Sequence, residues 1–485
     1  MSESLSKRSI TSASWNIGAS IITVAVLFVR SILLARMLPV DTFGVYAGAS
    51  AIVGLTVILP NFGMGGAFLH RAPETENEDR AAAVHFSLKL VFLLVWAVLL
   101  GAAAWVFAEN PLRTAILVLL IATFGMQLAE TPRLILTRRV VHRRLALLQV
   151  LRALATTMVA IALAFRGADL WALLATDLTA MLLTLLVLYV WRPVWRPHLA
   201  WFSGVVDYYL RFGSRNFVAV ALMKALDKID DLWTGFYLGA TALGFYSRAY
   251  TFAIYPRRFL AMPINLVAGG TYAELKNDRH RLSQAFFRTN AFLVRTGFLL
   301  AGLLLLVAPE FILLLLGEKW LPMLDAFRLM LVFTLLDPIK TTVGDVFIAV
   351  GRPEVLVRAR TAQLVILLIG LFTLGATFGI SGVALAVDAM LIAGMAILFW
   401  QARSHVDFSL RRMFAIPSLA LVLGIAATFA VLSGLGIDNA NWYTAILKTT
   451  AFSTTYLGIL LLLERAQVLE MLAMLRQLWP GRSTG

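Results

Sequence analysis

Apolar residues run along this chain in blocks of about 20, separated by short polar stretches and without the two-residue alternation of a half-buried strand. A helix rises 1.5 Å per residue, so about 20 residues cover the ~30 Å hydrocarbon layer of a bilayer. The blocks predict fourteen spanning helices, over 12–36, 43–69, 83–107, 113–132, 145–165, 168–190, 212–236, 242–267, 287–308, 321–350, 356–378, 381–402, 414–435 and 442–463. An even number of spans places both termini on one side. The first block follows Lys7 and Arg8 as the core of a signal peptide would. Its length, and the lack of a small-residue cleavage site after it, predict a helix that is kept.

Composition supports this pattern. Of the 485 residues 60% are hydrophobic and 14% charged, and mean hydropathy is +0.83. That is more apolar surface than a soluble core of this size hides, so much of it faces lipid. In a soluble protein the net charge of +15 would point to nucleic acid. Here its placement points to membrane orientation, with no nucleic-acid partner. Alternate loops collect Arg133, Arg138, Arg139, Arg143 and Arg144, then Arg192 and Arg196, Arg257 and Arg258, Arg279 and Arg281, Arg352, Arg403, Arg411 and Arg412. The opposite loops carry little beyond Arg36, Arg113, Arg166, Lys319 and Arg328. This asymmetry predicts cytoplasmic termini in a bacterial inner membrane.

Cysteine is absent from the sequence, and the six histidines show no metal-ligand spacing. These features predict neither a metal site nor a cofactor. No loop is long enough to fold as a catalytic domain, which speaks against an enzyme.

The chain also repeats itself. Leu38, Gly44, Tyr46 and Ala49 recur as Leu238, Gly244, Tyr246 and Ala249, and Ser14-Trp15-Asn16 recurs as Ser214-Arg215-Asn216. Farther on, Thr131-Pro132 is echoed by Asp337-Pro338 and Gly167 by Gly379. Six helices separate the matched elements, so both copies insert with the same orientation, related by an axis along the membrane normal. The expected fold is therefore an all-α integral membrane protein. It has a six-helix bundle in 1–199, a second in 200–405 and two further helices in 406–485.

Ionised groups inside a bilayer are costly and face protein or water. The seventh expected helix carries Lys224, Asp227, Lys228, Asp230 and Asp231. Positions 224, 227, 228 and 231 share one helical face, a polar stripe that lines a cavity or a seam. Arg30 is the repeat partner of Asp230, which suggests an Arg30–Asp230 or Arg30–Asp231 ion pair. The competing arrangement neutralises the helix internally, Lys224 with Asp227 and Lys228 with Asp231.

Arg30, Arg152, Lys224, Lys228 and Arg248 are the candidate cations for an anionic head group, since arginine grips phosphate oxygens in a fork. Asp177, Asp227, Asp230 and Asp231 are the candidate gating or ion-coupling carboxylates. Lys89, Arg295 and Lys340, near span ends, are expected to snorkel to the interface. Trp15, Tyr46, Trp233, Tyr237 and Tyr246 either stack on sugar faces or form an interfacial belt, the commoner role for such residues. Pro60, Pro132, Pro256, Pro263 and Pro338 sit where they would kink helices.

Two segments carry a family resemblance. The first is Leu34-Ala35-Arg36-Met37-Leu38-Pro39 followed by Phe43-Gly44-Val45-Tyr46. The second runs from Asp230-Asp231 through Leu238-Gly239 to Leu243-Gly244-Phe245-Tyr246. With them the chain resembles the polysaccharide and O-antigen repeat-unit flippases of the multidrug/oligosaccharidyl-lipid/polysaccharide exporter superfamily. The resemblance implies a MATE-like fold that flips an undecaprenyl-pyrophosphate-linked oligosaccharide for lipopolysaccharide, capsule or exopolysaccharide synthesis. Coupling to H+ or Na+ is implied in the same way. Rival readings are a drug or metabolite exporter of the same fold, a peptidoglycan-precursor flippase, a membrane-embedded glycosyltransferase or ligase, and a non-transporting scaffold.

Overall fold

The structure, a computed structural model, describes the backbone of residues 2–70, 77–139, 142–437, 439–469 and 471. Side chains are described for the same residues except 2–17, 142, 260–263 and 266. Trp15 and Pro263, named above, lie outside the described side chains. Helices account for nearly all of it, with no strand among the described residues.

The chain divides into two compact units, one ending at Ser247 and one beginning at Arg248. The first holds α1 (Ser2–Met37), α2 (Val40–Thr56), α3 (Ile58–Asn61), α4 (Met64–His70), α5 (Glu78–Phe107), α6 (Leu112–Leu128), α7 (Glu130–Arg138), α8 (His142–Phe165), α9 (Asp169–Leu185), α10 (Ser203–Tyr237) and the first turns of α11 (Gly239–Ala253). The second holds the rest of α11, then α12 (Met262–Leu275), α13 (Arg279–Glu310), α14 (Leu324–Ala349), α15 (Glu354–Gly370), α16 (Ala376–Ala402), α17 (Leu410–Leu435) and α18 (Trp442–Leu463).

All fourteen expected stretches are helical. Ten segments among the described residues are long and apolar enough to cross a bilayer. One of them, Glu354–Ala402, runs for 49 residues and contains two expected spans. They part at Gly379, whose φ of 59° and ψ of −138° interrupt the helix. That backbone geometry is open to glycine and strained for other residues. Charge keeps α10 and α14 out of the ten, and shortness keeps out α11 and α12. Three of the expected kinks coincide with breaks. Pro60 lies in the short α3, Pro132 in the first turn of α7, and Pro256 just past the end of α11. Pro338 instead lies inside α14, where its carbonyl oxygen accepts from Asn265 Nδ2 at 3.3 Å.

Inside the first unit, Leu93, Trp96 and Leu100 of α5 pack with Ile116 and Leu119 of α6, Leu174 of α9 and Val53 of α2. α10 packs on α2, α4 and α5. The start of the sequence repeat near residue 200 and the packing boundary at 247/248 are thus different positions. Inside the second unit, Phe286, Phe292 and Phe298 of α13 pack with Val343 and Phe347 of α14 and with Phe452 and Tyr456 of α18.

The repeat has a geometric counterpart where α2 meets the start of α11. A Cβ on Gly44 would lie 1.7 Å from the carbonyl oxygen of Ala240, and a Cβ on Gly244 would lie 2.4 Å from that of Val40. The contact is reciprocal: position 44 meets 240, and position 244 meets 40. Self-matching of this kind is the signature of a two-fold relation. Both glycines are required because the backbones touch, the small-residue packing common between membrane helices. Beside them the Thr241 hydroxyl donates to the Asp41 carboxylate.

Candidate functional site

The first unit gathers a polar cluster from four helices. Tyr46, one turn into α2, donates from Oη to Asp177 Oδ2 of α9 at 2.8 Å. Thr176 Oγ1 lies 3.4 Å from the same oxygen. Arg30 of α1 donates from Nη1 to Thr156 Oγ1 of α8 at 3.1 Å. One turn earlier on α8 stands Arg152, whose Nε is buried without a hydrogen-bond partner. The charges of Arg30 and Arg152 both act on Asp177. α1 packs along α8, α8 along α9, and α2 on α9, so the meeting follows from the helix order.

A second carboxylate sits on α10. Asp230 is buried and accepts from the Tyr246 hydroxyl at 2.6 Å, while its Oδ1 is buried without a hydrogen-bond partner. Lys228 Nζ lies 3.3 Å from Asp231 Oδ2, and its stem packs against Gly54 of α2. Asp231, Gly44, Gly48, Gly235 and Leu243 line a small cavity of about 100 Å³. Lys224 is half-buried and Asp227 exposed.

The sequence-predicted residues therefore fall into groups. Arg30, Arg152 and Asp177 come together; Lys228, Asp230 and Asp231 lie near one another; Lys224 and Asp227 join no ion pair among the described residues. Arg248 opens the second unit and is described with it. Neither the Arg30–Asp230 nor the Arg30–Asp231 pair is formed, because Thr156 takes Arg30, Tyr246 takes Asp230 and Lys228 takes Asp231. Of the internal pairs on α10, Lys228–Asp231 forms and Lys224–Asp227 does not.

Two further expectations change. Lys89 and Arg295 do not snorkel: each is 1% exposed. Lys89 pairs with Glu130 and donates to Asn61. Arg295 grips Glu464 in a fork, at 2.6 Å and 2.9 Å. Lys340 stays a quarter exposed and pairs with Asp337 at 2.8 Å. Helices distant in sequence supply the carboxylates for Lys89 and Arg295, which the position of a lysine or arginine near a span end does not reveal. Tyr46 and Tyr246 are carboxylate donors, not members of an interfacial belt, and Trp233 is buried against Tyr237 with ring centroids 4.9 Å apart. The shared Gly-x-Tyr of the two repeat copies was the signal for the tyrosines.

The second unit treats its charges differently. Asp337, 3% exposed, receives Arg257 at 2.7 Å as well as Lys340. Glu310 pairs with Lys448 at 2.6 Å. Asp388 is buried, and its Oδ1 has no hydrogen-bond partner.

An all-helical bundle with charged groups sheltered between apolar helices defines a MATE-like multi-pass membrane protein, and solved structures agree on the fold. The chain superposes on the lipid II flippase MurJ in its inward closed conformation with a TM-score of 0.75 at 13% identity, covering 95% of this chain and 100% of that one. It superposes on an outward-facing multidrug resistance MATE family transporter of the MOP superfamily with a TM-score of 0.56 at 18% identity, covering 81% and 95%. The chain belongs to the polysaccharide biosynthesis protein family, whose model matches residues 33–325. It is similar to the lipopolysaccharide biosynthesis protein WzxC of Escherichia coli (strain K12), 24% identical over 360 residues that make up 73% of this chain and 72% of the relative.

Proposed function

We propose that this protein flips a lipid-linked oligosaccharide across the bacterial inner membrane during polysaccharide biosynthesis, and that it is a transporter, not an enzyme. The substrate is an oligosaccharide on undecaprenyl pyrophosphate, taken from the cytoplasmic leaflet, with both termini of the protein cytoplasmic. Arg30, Arg152, Lys224, Lys228 and Arg248 serve the anionic head group. Asp177, Asp227, Asp230 and Asp231 serve gating and coupling to H+ or Na+. The repeat-derived bundles, 1–199 and 200–405, tilt to expose the substrate path alternately, with 406–485 as an accessory pair.

One observation carries this reading. Within an apolar bundle of this family's fold, Arg152 keeps a buried Nε without a hydrogen-bond partner, and its charge, like that of Arg30, acts on Asp177. A buried guanidinium nitrogen without an acceptor is costly unless an anion completes it, and a diphosphate offers matching oxygens.

The test is deletion of the gene followed by lipid extraction and complementation. Loss of the protein should trap undecaprenyl-linked repeat units on the cytoplasmic leaflet, and the wild-type chain should release them. Arg152→Gln should reduce flux roughly 10- to 100-fold, the loss of one charge-assisted contact of about 1.5–3 kcal/mol. Unchanged glycan with altered drug tolerance in the deletion strain would replace this function with that of an exporter.

A further inference from the structure

The second unit contains a cleft of about 650 Å³ at the start of α13 and the start of α17. His280, Gln284, Arg288, Ser409, Arg412 and Gln467 supply its polar wall, and Phe287 and Phe408 its apolar one. Asp407 also lines it, with its carboxylate held by Arg279 at 2.7 Å. A smaller neighbouring pocket shares Phe287, Arg288 and Gln467 with it and adds Ala291, Phe292, Met471 and Arg295. Arginines and phenylalanines together make the lining amphipathic.

The walls are braced from several sides. Asp407 N donates to Ser283 Oγ at 2.8 Å, and Arg279 Nη2 donates to the Arg403 carbonyl at 3.3 Å. Phe408 is packed between Phe286 and Phe399, with centroids 5.5 Å and 5.3 Å away. At the inner end the Arg295–Glu464 fork and Gln467, an acceptor for Arg295, close the floor. A cleft held open in this way requires little ordering when a ligand enters.

We propose that this cleft binds the phosphate head group of a membrane lipid, with the phosphate at Arg412 and His280 and the first chain carbons on the Phe287–Phe292 floor. Arg279, Arg281, Arg403, Arg411 and Arg412 crowd the same end of the unit, as basic groups do where a protein meets an anionic leaflet. This inference does not depend on the transport reading, because the cleft shares no residue with the set assigned to the substrate. Two lipids carry the right chemistry: an anionic glycerophospholipid and the polyprenyl carrier.

Native mass spectrometry of the full-length, detergent-purified protein titrated with phosphatidylglycerol, undecaprenyl phosphate and zwitterionic phosphatidylethanolamine tests the proposal. At least one of the two anionic lipids should bind at a ratio near one. Arg412→Gln combined with His280→Gln should weaken that binding roughly ten- to thirty-fold and leave phosphatidylethanolamine adducts unchanged. Both side chains are exposed, so the fold is expected to persist, and an unchanged melting temperature verifies it. Preference for phosphatidylglycerol identifies a bilayer-lipid site, and preference for undecaprenyl phosphate identifies a carrier port. Binding of neither lipid, or equal binding by wild type and the double variant, overturns the proposal. Because glycan flux is not the readout, failure here leaves the flippase test undecided and separate.

Discussion

Two carboxylates of the first unit and three of the second are held in opposite ways. In the first, Asp177 and Asp230 each accept from a tyrosine hydroxyl, at 2.8 Å and 2.6 Å, a neutral donor in place of a directly paired cation. In the second, Asp337 faces two cations, Glu464 a forked arginine and Glu310 a lysine. A carboxylate gripped by a cation in low dielectric is strongly biased toward one state, since breaking the pair strands a charge. A carboxylate held by a hydroxyl has more freedom to exchange a proton, a cation or a partner. Tyrosine hydroxyls hold Asp177 and Asp230, whereas cations brace Asp337, Glu310 and Glu464.

Breaking a brace should have the largest effect. Arg295→Met leaves Glu464 buried without its cation and should lower stability by about 3–5 kcal/mol, read as thermal unfolding in detergent. Arg295→Met with Glu464→Leu should recover most of that loss. If the double variant is as unstable as the single, the pair is not a brace. The backbone contact comes next. Gly44→Ala must part α2 from α11 and should cost about 1–3 kcal/mol. Gly48→Ala, whose nearest neighbour is a leucine methyl at 3.5 Å, should leave stability and glycan flux unchanged. A smaller effect on stability, about 1 kcal/mol, is expected for Tyr46→Phe, together with a fall in flux larger than the stability loss explains. Equal falls in flux and folded protein would make Tyr46 a brace too. Asp227→Asn, at an exposed position, should stay within about 0.5 kcal/mol of wild type in stability while lowering flux, and unchanged flux would remove Asp227 from the coupling carboxylates.

Much of this was legible in the chain. Lengths and spacing of the apolar blocks marked stretches that are helical, and the Gly-x-Tyr repeat marked the segments that meet at Gly44 and Gly244 without revealing their contact. Asp177, Arg30 and Arg152 were identified as intramembrane charges, but their mutual proximity was not. Arg30 was matched to Asp230 by repeat symmetry, whereas packing of α1 along α8 hands it to Thr156. Lys89 and Arg295 were assigned to the interface because their acceptors, Glu130 and Glu464, are 41 and 169 residues away.

The sequence by itself determined which stretches leave water, that the two halves share a plan, and which charges must be sheltered. Those properties follow from transfer free energies and helical periodicity, which act within about 20 residues. Only the tertiary structure decided the partners: which carboxylates meet tyrosine and which meet arginine, and where a cleft stays open. A helix fixes the face on which a side chain stands, while the neighbour opposite it is set by how helices far apart in the chain pack.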